Sequence, residues 1–112
     1  MSGSDEFGRC RLAVYGTLRR GWSNHKVIEG IAGEWTRGVV HGHLEEHYGF
    51  PFFVPDAGGD AIPVDVLISS ELPTSWERID RFEGRCYRRC LIPVHDSDDE
   101  VLFIANIYCK SG

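Results

Sequence analysis

Three groups of residues in this sequence have types and spacings that could do chemistry: an acid ending an amphipathic segment, a strand running into a glycine turn, and three close-set histidines. Glu83 is the acid. Trp76, Ile79 and Phe82 recur at the i, i+3, i+6 spacing of one helix face, and at about 100° per residue Glu83 falls about 20° from Trp76 on that wheel. Glu77 and Arg81 point elsewhere, as solvated helix residues do. Glu83 is therefore aimed at the core side. Desolvation disfavours its charged form, and the negative end of the helix dipole acts in the same direction. Both move a carboxyl toward the range where it can accept and return a proton at neutral pH. Pairing with Arg85 or Arg88 would oppose this, and a residue that simply frays into solvent at the helix end is the competing reading.

The second group is Val14-Tyr15-Gly16-Thr17-Leu18. Successive backbone N–H groups at such a turn can form a concavity for a carboxylate or a developing oxyanion. The alternative is a plain strand-ending turn, and the several glycines of a nucleotide-binding loop are absent. In the third group His41 and His43 alternate on a strand and share a face, with His47 following within reach. Three imidazoles would suit zinc, but neither Asp nor Glu is clearly placed as a further inward ligand. Solvent-facing histidines are the simpler reading. Neither a metal nor an organic cofactor is expected.

The elements that must position these groups can be read from punctuation and periodicity. Residues 11–15 form a strand stopped by Gly16, and Ser23 or Asn24 could cap a short helix running through Glu29. Residues 34–44 read as a longer strand whose Gly38 and Gly42 point to a bulge or bend. Residues 48–55 are aromatic, with Pro51 and Pro55 marking a bent or edge segment, and 56–60 is a turn. A strand over 61–70 follows, with Val64, Val66 and Ile68 on one face. Thr74 and Glu77 have capping-box spacing at the start of the helix that Gly84 ends. Two more strands, 86–94 and 101–108, flank the acidic turn from Asp96 to Glu100. About six strands and two or more helices with short connections indicate an α+β domain on a small curled sheet or barrel.

The composition agrees with one globular domain over 9–112, behind a disordered lead-in over 1–8: 42% of residues are hydrophobic and 26% charged. A net charge of −5 argues against a nucleic-acid partner. No apolar run approaches the ~20 residues that cross a bilayer, and the first residues lack a signal-peptide pattern, so a cytoplasmic protein without membrane partners is expected. Four cysteines are present without a C-x-x-C pair. Cys86 and Cys90 would sit about 13 Å apart along a strand, too far to bond. Cys10 and Cys109 could meet in space, but reduced, buried thiols are the expectation.

Taken together, Val14-Tyr-Gly-Thr-Leu-Arg-Arg-Gly21, Ser23-Asn-His25 and Ile79-Asp-Arg-Phe-Glu-Gly84 followed by Tyr87-Arg88 resemble the γ-glutamylcyclotransferase-like (AIG2-like) family. The two main motifs stand about 65 residues apart, and the resemblance covers residues 11–108. It implies a small β-barrel, closed or nearly so, with flanking helices and a pocket at its mouth. It also implies a reaction in which a γ-glutamyl compound cyclises to 5-oxoproline and releases an amine or amino acid. By that resemblance Glu83 is the general acid/base, and backbone amides of Tyr15, Gly16, Thr17 and Leu18 hold the glutamyl α-carboxylate. Tyr87 would line the pocket with a hydroxyl available to substrate, and bulky Gly49-Phe-Pro-Phe-Phe53 would narrow it. The implied partner is a small molecule, the protein a monomer or homodimer. A non-catalytic binding or interaction domain of the same fold is the alternative, and substitution of Glu83 separates the two.

Overall fold

The computed structural model describes residues 8–15, 28 and 30–111. Runs of β-branched and aromatic residues become six strands: β1 (Arg11–Val14), β2 (Glu34–His47), β3 (Phe50–Pro55), β4 (Asp60–Ile68), β5 (Tyr87–His95) and β6 (Val101–Lys110). Between β4 and β5 lie a 3-10 turn, Leu72–Thr74, and helix α1, Trp76–Glu83. The order β1–β4–β2–β3–β6, with β6 returning to pair β1 at Leu12↔Asn106, closes a five-stranded barrel. Strand β5 hairpins onto β6 and touches β2 at the bridge Val39↔His95. All of the second helix expected over 23–29 except Ile28 lies outside the described residues, as do residues 1–7 of the lead-in.

Side chains alternating across each strand divide the apolar residues into two cores. Ala13, Val40, Phe53, Val64, Val66 and Ile107 fill the barrel. Their sequence neighbours Leu12, Val14, Leu67 and Tyr108 face outward and are covered by Trp76 and Ile79 of α1, together with Leu72 and Ile28. The helix is thus a plug on the barrel wall, and its rotation is set by two large buried side chains.

The glycines of β2 mark close approach. Its pairing with β4 runs from Glu34↔Ile68 to Gly42↔Asp60 without a register shift, so no bulge occurs there. A Cβ at Gly38 would lie 2.2 Å from a methyl of Val94, and one at Gly42 2.7 Å from the Phe53 ring. Both glycines make room for core side chains. β2 turns into β3 through Tyr48 and Gly49, whose φ angles of 57° and 82° are those of a two-residue hairpin turn.

Two further expectations are corrected. No capping box forms: Ser75 is the N-cap without a side-chain cap bond, and the hydroxyls of Thr74 and Ser75 both donate to the Glu71 carbonyl. Pro73 at the start of the 3-10 turn shifts the chain by one turn, so Thr74 ends that turn instead of starting α1. The thiols are not all reduced. Cys90, partly buried on β5, is disulfide-bonded to Cys109 on β6, with their Cα atoms 6.7 Å apart. Cys90 sits opposite Ile107, so the pair is a cross-strand diagonal. Cys109 therefore meets Cys90 and not Cys10; Cys10 and Cys86 are outside any disulfide.

Candidate active site

Burial of Trp76 and Ile79 rolls the last turn of α1 so that Glu83 faces a cavity of about 390 Å³ beside the barrel wall. Gly84, at φ 81°, ends the helix and donates its N–H to Asp80, and the chain turns directly into β5. Among the described residues Glu83 is the one acidic side chain that lines this cavity; apart from Cys86 the other walls are aromatic or aliphatic, including Tyr15, Phe50, Phe52, Tyr87 and Tyr108. Phe82 also lines it and is half exposed, so the third member of the expected apolar stripe belongs to the cavity wall and not to the core.

Glu83 makes no hydrogen bond or ion pair with the described residues. Burial, and then the negative charge of Asp80 one turn earlier, push its pKa from 4.5 up to about 7. Arg85 and Arg88 do not offset this. The basic group that does approach α1 is Arg89, which donates to both Asp80 oxygens at 2.9 and 3.3 Å and lies over the Trp76 ring. Tyr108 donates its hydroxyl to the same Asp80 carboxylate. Asp80, Arg89 and Tyr108 form a clamp behind Glu83, and sequence reasoning gave none of them a role. The signal was present in part: Asp80 precedes Glu83 by three residues, the separation at which helix side chains are neighbours.

The remaining expected residues divide. Tyr15 lines the cavity, but its buried hydroxyl donates to the Tyr108 carbonyl and accepts from the Phe53 N–H, joining three strands. Tyr87 also lines the cavity, stacked on Phe52 with ring centroids 4.5 Å apart. Its hydroxyl hydrogen goes to the Pro51 carbonyl at 2.9 Å, which leaves only acceptor capacity toward the cavity. Burial raises the pKa of both tyrosines. Phe50, Pro51 and Phe52 form one rim of the cavity, as their bulk implies, and Tyr48 stands at its edge almost fully exposed. Gly16, Thr17 and Leu18 lie outside the described residues.

The three histidines of β2 do not converge. His43 bonds Asp56 at 2.7 Å, His47 bonds Glu45 at 3.0 Å, and His41 bonds Asp99 at 2.8 Å. Among the described residues no helix is long and apolar enough to cross a membrane.

The fold is shared with proteins of known structure. An uncharacterized protein from Pyrococcus horikoshii is 27% identical, with a TM-score of 0.65 over 91% of this chain and 78% of that one. YkqA from Bacillus subtilis, also 27% identical, superposes with a TM-score of 0.68 over 90% of this chain but only 35% of its own length. A mouse AIG2-like protein at 21% identity shares the fold, with a TM-score of 0.67 over 90% of this chain and 76% of that one. No protein with a curated function matches the sequence. The family described as gamma-glutamyl cyclotransferase, AIG2-like, matches residues 12–112, nearly the whole chain, and the protein belongs to that family.

Proposed function

We propose that the protein cyclises a γ-glutamyl compound to 5-oxoproline and releases the amine or amino acid, with Glu83 moving the proton. The observation that carries this reading is Glu83 itself, lining the cavity with its pKa raised to about 7. A carboxylate of ordinary acidity would be a poor base toward a substrate ammonium group; one near neutral pH takes that proton and holds it long enough to return it.

The sequence of events follows from that position. Glu83 removes a proton from the substrate's α-amino group, and the freed nitrogen attacks the γ-carbonyl carbon of the same molecule. A C–N bond forms and closes the five-membered ring. The tetrahedral intermediate then collapses as Glu83 delivers the proton to the leaving nitrogen and the original amide bond breaks; the ring nitrogen gives up its second proton to the released amine, so the lactam is neutral, the amine leaves as an ammonium ion and Glu83 ends as the carboxylate it began as. Nucleophile and electrophile belong to one molecule, so the protein has mainly to hold the substrate folded; the gain from such positioning can reach several kcal/mol.

The aromatic walls suit this task by excluding water and limiting the substrate's conformations. Backbone amides of Tyr15, Gly16, Thr17 and Leu18 hold the α-carboxylate in this reading. Tyr87 supplies a wall and a hydroxyl oxygen that accepts a hydrogen bond from the substrate, its own hydrogen being committed to Pro51. Tyr15 acts through its backbone, since its hydroxyl is used on both sides. Incubation with γ-glutamyl dipeptides and γ-glutamyl amines, with 5-oxoproline followed by mass spectrometry, tests the reading. Turnover by the wild-type protein and its loss in Glu83→Gln support it; equal product from both rejects the role of Glu83.

A further inference from the structure

The barrel end away from the cavity gathers a second set of side chains. Tyr87 and His95 are the first and last residues of β5, which at ~3.3 Å per residue separates them by about 26 Å along the strand. There His41 of β2, His95 of β5 and Asp99 of the following turn come together, with one ligand-type atom from each within 4.8 Å of the others. His41 Nε2 is 2.8 Å from Asp99 Oδ1, and His95 Nδ1 is 3.7 Å from the same oxygen. The two imidazole rings meet edge to face at 4.8 Å between centroids.

We propose that His41, His95 and Asp99 form a binding site for zinc or a similar borderline divalent transition ion, which clamps β2 to the β5–β6 hairpin. Two imidazoles and one carboxylate are a common zinc donor set, with a fourth position for water. Tetrahedral bonds of about 2.0–2.1 Å place neighbouring ligand atoms about 3.3 Å apart. The observed separations of 2.8 and 3.7 Å lie on either side of that value. The two imidazole nitrogens lie within 4.8 Å of each other and have to draw closer for a shared ion; the Asp99 carboxylate is mostly exposed, while both imidazoles are largely shielded.

The surroundings favour a cation. Asp99 sits at φ 65° in a turn that Asp96 fastens by accepting the N–H groups of Asp98 and Glu100. That turn gathers four acidic residues between 96 and 100. The Gly59 carbonyl accepts a hydrogen bond from His41, the kind of outer contact that orients a ligating imidazole. The mechanical consequence lies at the seam. β2 and β5 share the single bridge Val39↔His95, so an ion held by His41 and His95 would cross-link two strands that little backbone pairing joins.

The test uses the full, tag-free chain stripped with chelator and titrated with Zn²⁺, and then with Co²⁺ as a spectroscopic substitute. One equivalent of zinc is expected to bind and to raise the Tm by at least about 4 °C at saturation. His41→Gln and His95→Gln should each weaken binding at least tenfold with the circular dichroism spectrum retained, while His43→Gln and His47→Gln should leave it unchanged. Cobalt should show the weak bands of nitrogen and oxygen ligation. Absence of binding, undiminished binding in His95→Gln, or an intense thiolate-to-cobalt band pointing to Cys10 or Cys86 would each overturn the proposal. None of these results depends on cyclotransferase turnover.

Discussion

Replacing Glu83 by Gln should do two things that are rarely found together: abolish turnover and stabilise the fold. A carboxyl whose folded pKa is about 7 against an ordinary 4.5 binds protons more tightly in the native state than in the unfolded one. The penalty is therefore absent below about pH 4.5, grows as pH rises between 4.5 and 7, and is complete above that window. Raising the pKa from 4.5 to about 7 corresponds to about 3 kcal/mol, an upper value because the side chain is not fully buried. Glutamine keeps the shape and carries no charge. At pH 8 the variant should unfold at higher urea concentration than wild type, by up to that amount, and at pH 4 the difference should vanish. Turnover supplies the second reading. With a base titrating near 7, kcat/KM at pH 5 should be about one-fiftieth of its value at pH 7, whereas an unperturbed carboxylate would lose less than half. Glu83→Gln should lower kcat by about 10² to 10⁴. Urea titrations at both pH values and a pH–rate profile decide the matter together. Equal stabilities at pH 8 would show that Glu83 is solvated, and a rate independent of pH between 5 and 7 would show that it is not the base.

Other residues make separable predictions. Tyr15→Phe removes a hydroxyl bonded on both sides inside the core, leaving the Phe53 N–H and the Tyr108 carbonyl each short of a partner; a loss of about 1–3 kcal/mol is expected in urea unfolding, and an unchanged midpoint would deny the junction its importance. Gly42→Ala places a methyl against the Phe53 ring and the Val54 carbonyl, so the Tm should fall by an amount equivalent to about 1–3 kcal/mol or the variant should fail to accumulate. Reducing the Cys90–Cys109 bond opens a loop spanned by a sequence separation of 19, and the chain-entropy account then gives a loss of about 3 kcal/mol. Urea midpoints with and without reductant measure it, and coincident curves would mean that the bond contributes nothing in solution.

What was legible in the sequence follows a physical division between local and non-local determinants. The side of α1 that Glu83 occupies was readable because Trp76 and Ile79 are large enough to fix a short helix by their own burial, and Gly84 marks where it must stop. Most strands were readable from β-branched and aromatic runs and from the glycines and prolines that bound them. Phe82 was misplaced because a periodic stripe records which face is apolar, not whether the fold leaves a cavity beside it. Gly38 and Gly42 looked like bulges because strand glycine has two explanations, and only the opposed Val94 and Phe53 choose between them. Cys90–Cys109 and His41–His95 depend on the register of strands distant in sequence, and no spacing within one strand encodes that.

The clearest lesson lies in two carboxylates on one helix, three residues apart. Asp80 and Glu83 carry the same functional group, and residue type alone does not predict different chemistry for them. Their surroundings do. Asp80 faces Arg89 and the Tyr108 hydroxyl, and so sits in a network that stabilises negative charge. Glu83 faces an aromatic cavity, with no cation beside it among the described residues and with Asp80 as its nearest charge. Arg89 reinforces the contrast. Held over the Trp76 ring and bonded to both Asp80 and Asn106, it neutralises the first carboxylate without reaching the second. Different surroundings for two carboxyls are a familiar way to obtain different chemistry from the same group. The clamp of Asp80, Arg89 and Tyr108 therefore does more than hold α1 to the barrel: it engages the arginine that would otherwise be free to pair with Glu83.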